Sequence, residues 1–146
     1  MAETPDQVER FRSRGAARTA EIAAALAAEL QPGDVVLLHG DLGAGKTTFV
    51  RGAARALGVA EPVTSPTFTI GQRYEGDVPV SHLDLHRLAG ANGLAGEDPA
   101  LLDDYLTPDR IAFVEWPGIA EPAIDRVAAR VTLEHRGGDR RVLIIE

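Results

Sequence analysis

The chain has 146 residues, 45% hydrophobic and 25% charged, with a formal net charge of −7 and no cysteine. That length predicts one domain over residues 1–146, with a real core and little room for a second module. Disulfides, thiolate metal sites and a cysteine nucleophile are excluded, no apolar run approaches the ~20 residues that span a bilayer, and the acidic balance argues against a protein that grips nucleic acid unaided.

Residues 1–6 read as a tail. Their order, Met1-Ala2-Glu3-Thr4-Pro5-Asp6, is not the charged-then-apolar order of an export signal, so a cytoplasmic protein is expected. Val8 to Arg12 alternates briefly between apolar and charged residues and predicts a short strand. Arg10, Arg12, Arg14 and Arg18 form the one basic cluster evident in the sequence, with Asp6, Glu9 and Glu21 among or beside them. That mixture reads as the solvated start of a helix rather than an RNA grip, and contact with nucleic acid is expected through another protein. From about Ala16 to Leu30 the pattern is helical: Ile22, Leu26 and Leu30 recur four apart, and Pro32-Gly33 stops the helix. Val35 to His39 is apolar on both faces, as suits the centre of a parallel sheet.

A glycine-rich segment follows, then a helix from Lys46 to about Leu57 closed by Gly58. Val59 to Pro66 reads as a loop. Phe68 to Tyr74 and Val78 to Asp84 suggest a hairpin around Glu75-Gly76-Asp77, and Pro79 puts the second strand at an edge or makes it irregular there. Residues 89–98 read as a flexible link and Pro99 to Tyr105 as a short helix. Arg110 to Glu115 is a second buried strand, ended by Trp116-Pro117-Gly118. Val127 to Glu134 and Arg140 to Ile145 form a closing hairpin turned by Gly137-Gly138.

The glycine-rich segment, Gly40-Asp41-Leu42-Gly43-Ala44-Gly45-Lys46-Thr47-Thr48, matches G-x-x-x-x-G-K-[ST] at every fixed position. A buried strand before it and a helix after it are the context that a phosphate-binding loop requires. Backbone N–H groups of such a loop converge on phosphate oxygens, and the helix aims its positive end at them. Asp41 to Thr48 are thus candidate nucleotide contacts, with Lys46 reaching the β- and γ-phosphates and the Thr47 hydroxyl on Mg²⁺. Lys46 is the only lysine, against fourteen arginines; a compact ammonium is kept where a phosphate loop needs one. The alternative is a strand-to-helix turn with an incidental lysine.

Hydrolysis also needs an acid at a strand end across from the loop. Glu115 closes Ile111-Ala112-Phe113-Val114 in the Walker B pattern, with glutamate for aspartate; a solvent-facing carboxylate is the alternative. Asp84 is a second candidate, binding a metal-bound water or orienting the attacking one. His82, Asp84 and His86 alternate, so a transition-metal site on an extended strand competes with a Mg²⁺-linked role for Asp84. His39 and His135 read as ordinary strand residues. Thr64-Ser65-Pro66-Thr67 either senses the γ-phosphate, through Thr67 for example, or is a proline turn. Trp116 shields the site, packs on the nucleotide or packs in the core.

The loop at 40–48, Ser65-Pro66-Thr67, His82-x-Asp84 with Arg87-Leu88, and Glu115-Trp116-Pro117 occur in that order. Together they closely resemble the TsaE family, also called YjeE, the small bacterial ATPases of tRNA threonylcarbamoyladenosine biosynthesis. The likeness runs from about Thr19 to Val142. It implies an α/β fold, a three-layer P-loop NTPase-like domain with a mixed, mostly parallel central sheet and a C-terminal β-hairpin. It implies ATP or ADP as ligand, Mg²⁺ on Thr47 and Glu115, catalytic parts for Lys46, Asp84 and Glu115, and adenine near Arg14 to Thr19. It further implies association with the TsaD–TsaB pair, whose transferase acts at position 37 of tRNAs that read ANN codons, with tRNA met only through those partners. The family usually has tyrosine where this chain has His86, an imidazole that covers less apolar surface.

Two other classes fit the loop alone. A small-molecule kinase needs a lid with arginines to clamp its acceptor, and the only long insertion, residues 88–109, carries none. A non-hydrolytic nucleotide switch would leave Glu115 purely structural. No residue after the loop resembles an arginine finger, so slow isolated turnover is expected.

Overall fold

The computed structural model describes residues 8–41, 44–64, 70–85, 99–118, 124 and 126–146. Its strands are β1 (Glu9–Ser13), β2 (Val35–His39), β3 (Gly71–Tyr74), β4 (Val80–Asp84), β5 (Ile111–Glu115), β6 (Val127–His135) and β7 (Arg141–Ile145). The helices are α1 (Ala16–Ala27) and α2 (Lys46–Ala56), with a 3₁₀ turn over Pro99–Asp104. The strands form one seven-stranded sheet in the order β1-β7-β6-β2-β5-β4-β3. The centre, β6-β2-β5-β4, is parallel, and the flanking pairs are antiparallel. The α/β class and mixed sheet expected from the sequence are what the chain forms.

The two strands that read as apolar on both faces, β2 and β5, lie side by side in the middle, where both faces are covered. Val36, Leu38, Val80, Ile111, Phe113, Val131, Leu133 and Leu143 face α1 and α2 in one core. Val35, Leu37, Leu83, Ala112 and Val114 face the other way, where Ile70, Leu85, Leu102 and Ile124 join them. The two helices approach closely because Gly52 has no side chain: a Cβ there would sit 2.6 Å from the Cα of Ala20.

Several boundaries differ from expectation. Helix α1 ends at Ala27 rather than Leu30. The N–H of Glu29 donates to Leu26 (2.9 Å) and that of Leu30 to Ala27 (3.1 Å), a tightened last turn ahead of Pro32. Its buried face is Thr19, Ile22, Ala23 and Ala27, while Leu26 and Leu30 are only partly buried. β4 begins after Pro79 and lies between β3 and β5, so that proline marks an irregular strand start and not an edge; its carbonyl accepts the N–H of Ile111 at 3.0 Å. The helix read at Pro99 to Tyr105 is 3₁₀. The tail at 1–6, the segment 65–69 and the link at 89–98 lie outside the described residues.

Candidate nucleotide site

The register of the parallel strands builds the site in two rows. Leu38, Glu115 and Asp84 are aligned at the C-terminal ends of β2, β5 and β4, and Val36, Phe113 and His82 form the row below. These residues share the parity that faces the helices, because side chains alternate along a strand. Ligands of open parallel sheets gather at such C-terminal ends.

β2 runs into the phosphate-loop sequence, and α2 leaves it at Lys46. Gly45 holds φ +101 at the helix start, a left-handed conformation that a side chain would strain. It contributes no side chain to cap α2, so the positive helix end is turned toward the loop. The Lys46 ammonium folds back on that loop, donating to the Gly40 carbonyl and to the Asp41 carbonyl at 3.2 Å. It lies 4.2 Å from the centroid of the Trp116 ring, and Lys46 is only 5% exposed. Burial lowers its pKa from the ordinary 10.5, and the charges of Glu115, Asp84 and Asp41 oppose that shift. Burial thus outweighs the three carboxylates that favour the ammonium.

Glu115 does not face solvent: it is 4% exposed. Its Oε2 accepts the Thr47 hydroxyl at 3.2 Å and lies 2.5 Å from His82 Nε2. The β-ladder supplies the His82 contact, a diagonal neighbour across β4 and β5. His82 is fully buried, and its Nδ1 meets no hydrogen-bond partner among the described residues. Asp84 sits opposite Glu115, half-buried, its N–H donating to Ile70 at 2.7 Å. Trp116 follows with φ +56, the one non-glycine residue in the left-handed region among those described. Its N–H still donates to Leu38 at 3.3 Å, so the ladder and the Lys46 contact accompany a conformation costing about 1–2 kcal/mol.

Thr47 and Glu115, the two expected Mg²⁺ ligands, adjoin one another and offer oxygen donors only, which suits a hard cation. Among the described residues no three His, Cys, Asp or Glu side chains could hold a metal ion together. The His82-Asp84-His86 pattern therefore gains nothing: His86 lies outside the described residues and His82 is engaged by Glu115. Leu42, Gly43 and Thr67 also lie outside them. Thr48 is half-buried and lines a groove of about 810 Å³ between α1 and α2, with Ala16, Ala17 and Ala20 on the facing wall. In the expected adenine region, Ser13 Oγ and Thr19 Oγ1 are hydrogen-bonded to each other at 2.8 Å, both buried. His39 and His135 end β2 and β6, as strand residues.

Two contacts had no signal in the sequence. His82 read as a candidate metal ligand and is instead the buried partner of Glu115. Arg141, at the start of β7, donates from Nε to the Ala44 carbonyl at 3.0 Å, bracing the phosphate loop from 97 positions away.

The profile of the family described as "Threonylcarbamoyl adenosine biosynthesis protein TsaE" matches residues 13–143, a stretch containing every site residue above. The chain belongs to the TsaE family. It is 37% identical over 133 residues to the tRNA threonylcarbamoyladenosine biosynthesis protein TsaE of Bacillus subtilis, covering 90% of this chain and 81% of that one. With the Streptomyces coelicolor protein of the same name it shares 42% over 116 residues, 76% of each chain. Among solved structures, the crystal structure of Bacillus subtilis YdiB superposes with a TM-score of 0.77 at 32% identity, covering 95% of this chain and 84% of that one. TsaE proteins carry in their name a part in tRNA threonylcarbamoyladenosine biosynthesis. No helix among the described residues is long and apolar enough to cross a membrane.

Proposed function

We propose that this TsaE-family chain binds and hydrolyses Mg-ATP as the accessory subunit of the TsaD–TsaB threonylcarbamoyl transferase, in forming threonylcarbamoyladenosine at position 37 of tRNAs that read ANN codons. The observation that carries the proposal is the convergence of Lys46, Thr47 and Glu115 where the parallel strands end beside the start of α2. Lys46 would exchange two neutral carbonyl acceptors for anionic phosphate oxygens, adding ion pairing to bonds already strengthened by its own charge. Thr47 and Glu115 would hold Mg²⁺, which when bound neutralises charge developing on the β- and γ-phosphates. His82 fixes the Glu115 carboxylate, and Asp84 orients water at the row's outer end. Trp116 covers the ammonium and limits its solvation, strengthening its pairing with phosphate. The groove at Thr48 continues toward the start of α1, which gives the adenosine half a place to lie.

Calorimetric titration with ATP and ADP, with and without Mg²⁺, tests the proposal, with phosphate release read on the same samples. Measurable affinity that requires the divalent ion and disappears in Lys46→Ala is expected. No affinity for either nucleotide with Mg²⁺ present would sink the ATPase assignment. Hydrolysis that survives Glu115→Ala unchanged would remove Glu115 from the metal. A pull-down without ATP-dependent association would remove the TsaD–TsaB pair.

A further inference from the structure

The basic cluster read near the start of the sequence is half of a larger one. β1 pairs antiparallel with β7, placing Arg10 opposite Ile144 and Arg12 opposite Val142. Phe11 packs on the core beneath the helices and Ser13 is buried against Thr19, so Arg10 and Arg12 take the opposite face. The β6–β7 turn then brings Arg136, Arg140 and Arg141 alongside. Six arginines, including Arg14, line one cleft of about 460 Å³, and among the described residues Val142 is its only apolar wall.

Among the described residues one ion pair meets that charge. Arg136 pairs with Glu134 at 2.5 Å. The Arg141 guanidinium donates to the carbonyls of Gly138 (2.9 Å), Arg140 (3.0 Å) and Ala44 (3.0 Å). Arg10, Arg12, Arg14 and Arg140 form no ion pair among the described residues and are exposed. A chain of net charge −7 thus concentrates guanidinium groups in one concavity, where they raise the local concentration of a polyanion.

We propose that this cleft takes the phosphodiester backbone of an RNA. Guanidinium forks match phosphate oxygens two at a time, and several phosphates at once are what an arginine-lined cleft can neutralise. An acidic protein is the lesser fit, because the centre of a protein interface needs an apolar or aromatic anchor that Val142 alone does not provide. The choice of RNA rests on the proposed role in tRNA modification, and it reverses the expectation of contact only through partners, because the sheet joins Arg136, Arg140 and Arg141 to the four-arginine segment that alone read as a solvated helix start. Arg141 lines the cleft and also donates to the phosphate loop, so an anion bound there rests on a side chain that braces Ala44.

Fluorescence anisotropy of labelled unmodified tRNA, titrated with the protein without nucleotide across a salt series, tests the inference apart from any ATPase activity. Binding that weakens steeply with salt is expected, with Kd in the range of about 10⁻⁶–10⁻⁴ M at physiological salt. The triple variant R10Q/R12Q/R140Q should lose at least about tenfold in affinity at low salt and flatten the log–log salt slope by roughly 2 to 3. Its melting temperature and Mg-ATP affinity should match the parent, and Arg55→Gln, on α2 outside the cleft, should bind RNA within about twofold of it. No RNA binding at about 50 mM salt, or equal binding by the triple variant, overturns the proposal. Loss of Mg-ATP affinity in the triple variant overturns it in favour of a nucleotide subsite. Binding of polyglutamate but not of tRNA, lost in the triple variant, overturns it in favour of an acidic protein partner.

Discussion

The two ends of the central parallel strands are built on opposite plans. At the N-terminal end of β2 and β5 charged groups are paired near the rim. Asp34 accepts Arg126 at 3.1 Å and the Gln31 N–H at 2.8 Å, and Arg110 pairs with Glu75 at 2.9 Å while donating to the Val80 carbonyl at 3.1 Å. Main-chain bonds close the same end, with Gly33 on Arg110 at 2.8 Å and Val35 on Arg126 at 3.0 Å. At the C-terminal end, about four residues along the same strands, an ammonium is buried, a histidine nitrogen meets no partner among the described residues and a tryptophan sits at positive φ. One end is arranged for stability. The other holds unfavourable features together because neighbouring structure over-determines them, which is where function concentrates.

Mutations can break or sharpen that contrast. Phe113→Ala, between the two ends, should cost about 3–5 kcal/mol and abolish nucleotide binding with the fold, seen as a large drop in the denaturation midpoint. Lys46→Ala should separate the two properties: nucleotide affinity is expected to fall at least about thirtyfold, roughly 2 kcal/mol, with a much smaller change in stability.

The same lysine predicts opposite pH trends. Because burial lowers its folded pKa below the unfolded 10.5, the unfolded chain binds more protons between those two values, and stability rises with pH across that window. Nucleotide binding needs the ammonium, so affinity falls as pH rises through it. Melts and calorimetry across the alkaline range check both trends, and the difference between parent and Lys46→Ala isolates this group. At the other end, Arg126→Ala removes an arginine whose side chain is 58% exposed. Its expected cost is at most about 1 kcal/mol, with nucleotide affinity unchanged by calorimetry. A marked loss of affinity there would erase the distinction between the ends.

Much of this was legible before any coordinates. Strand–loop–helix punctuation at 35–57, the acid closing a four-residue apolar run and the glycine turn at 137–138 are local patterns, set by side-chain period and turn chemistry within a few residues. The same local reading misjudged α1's last turn, where Pro32 competes with helical periodicity, and could not tell whether Pro79 stood at an edge, since strand neighbours are not encoded nearby.

What local pattern could determine was the chemistry available: one lysine in a phosphate loop, a hydroxyl after it, and carboxylates where strands stop. Which groups meet was decided by register and topology. β4 beside β5 made His82 the partner of Glu115, 33 positions away, and the pairing of β1 with β7 gathered arginines from both ends of the chain into one cleft. Such contacts follow from burying both faces of one sheet at once, a condition on the whole chain that no short window of sequence contains.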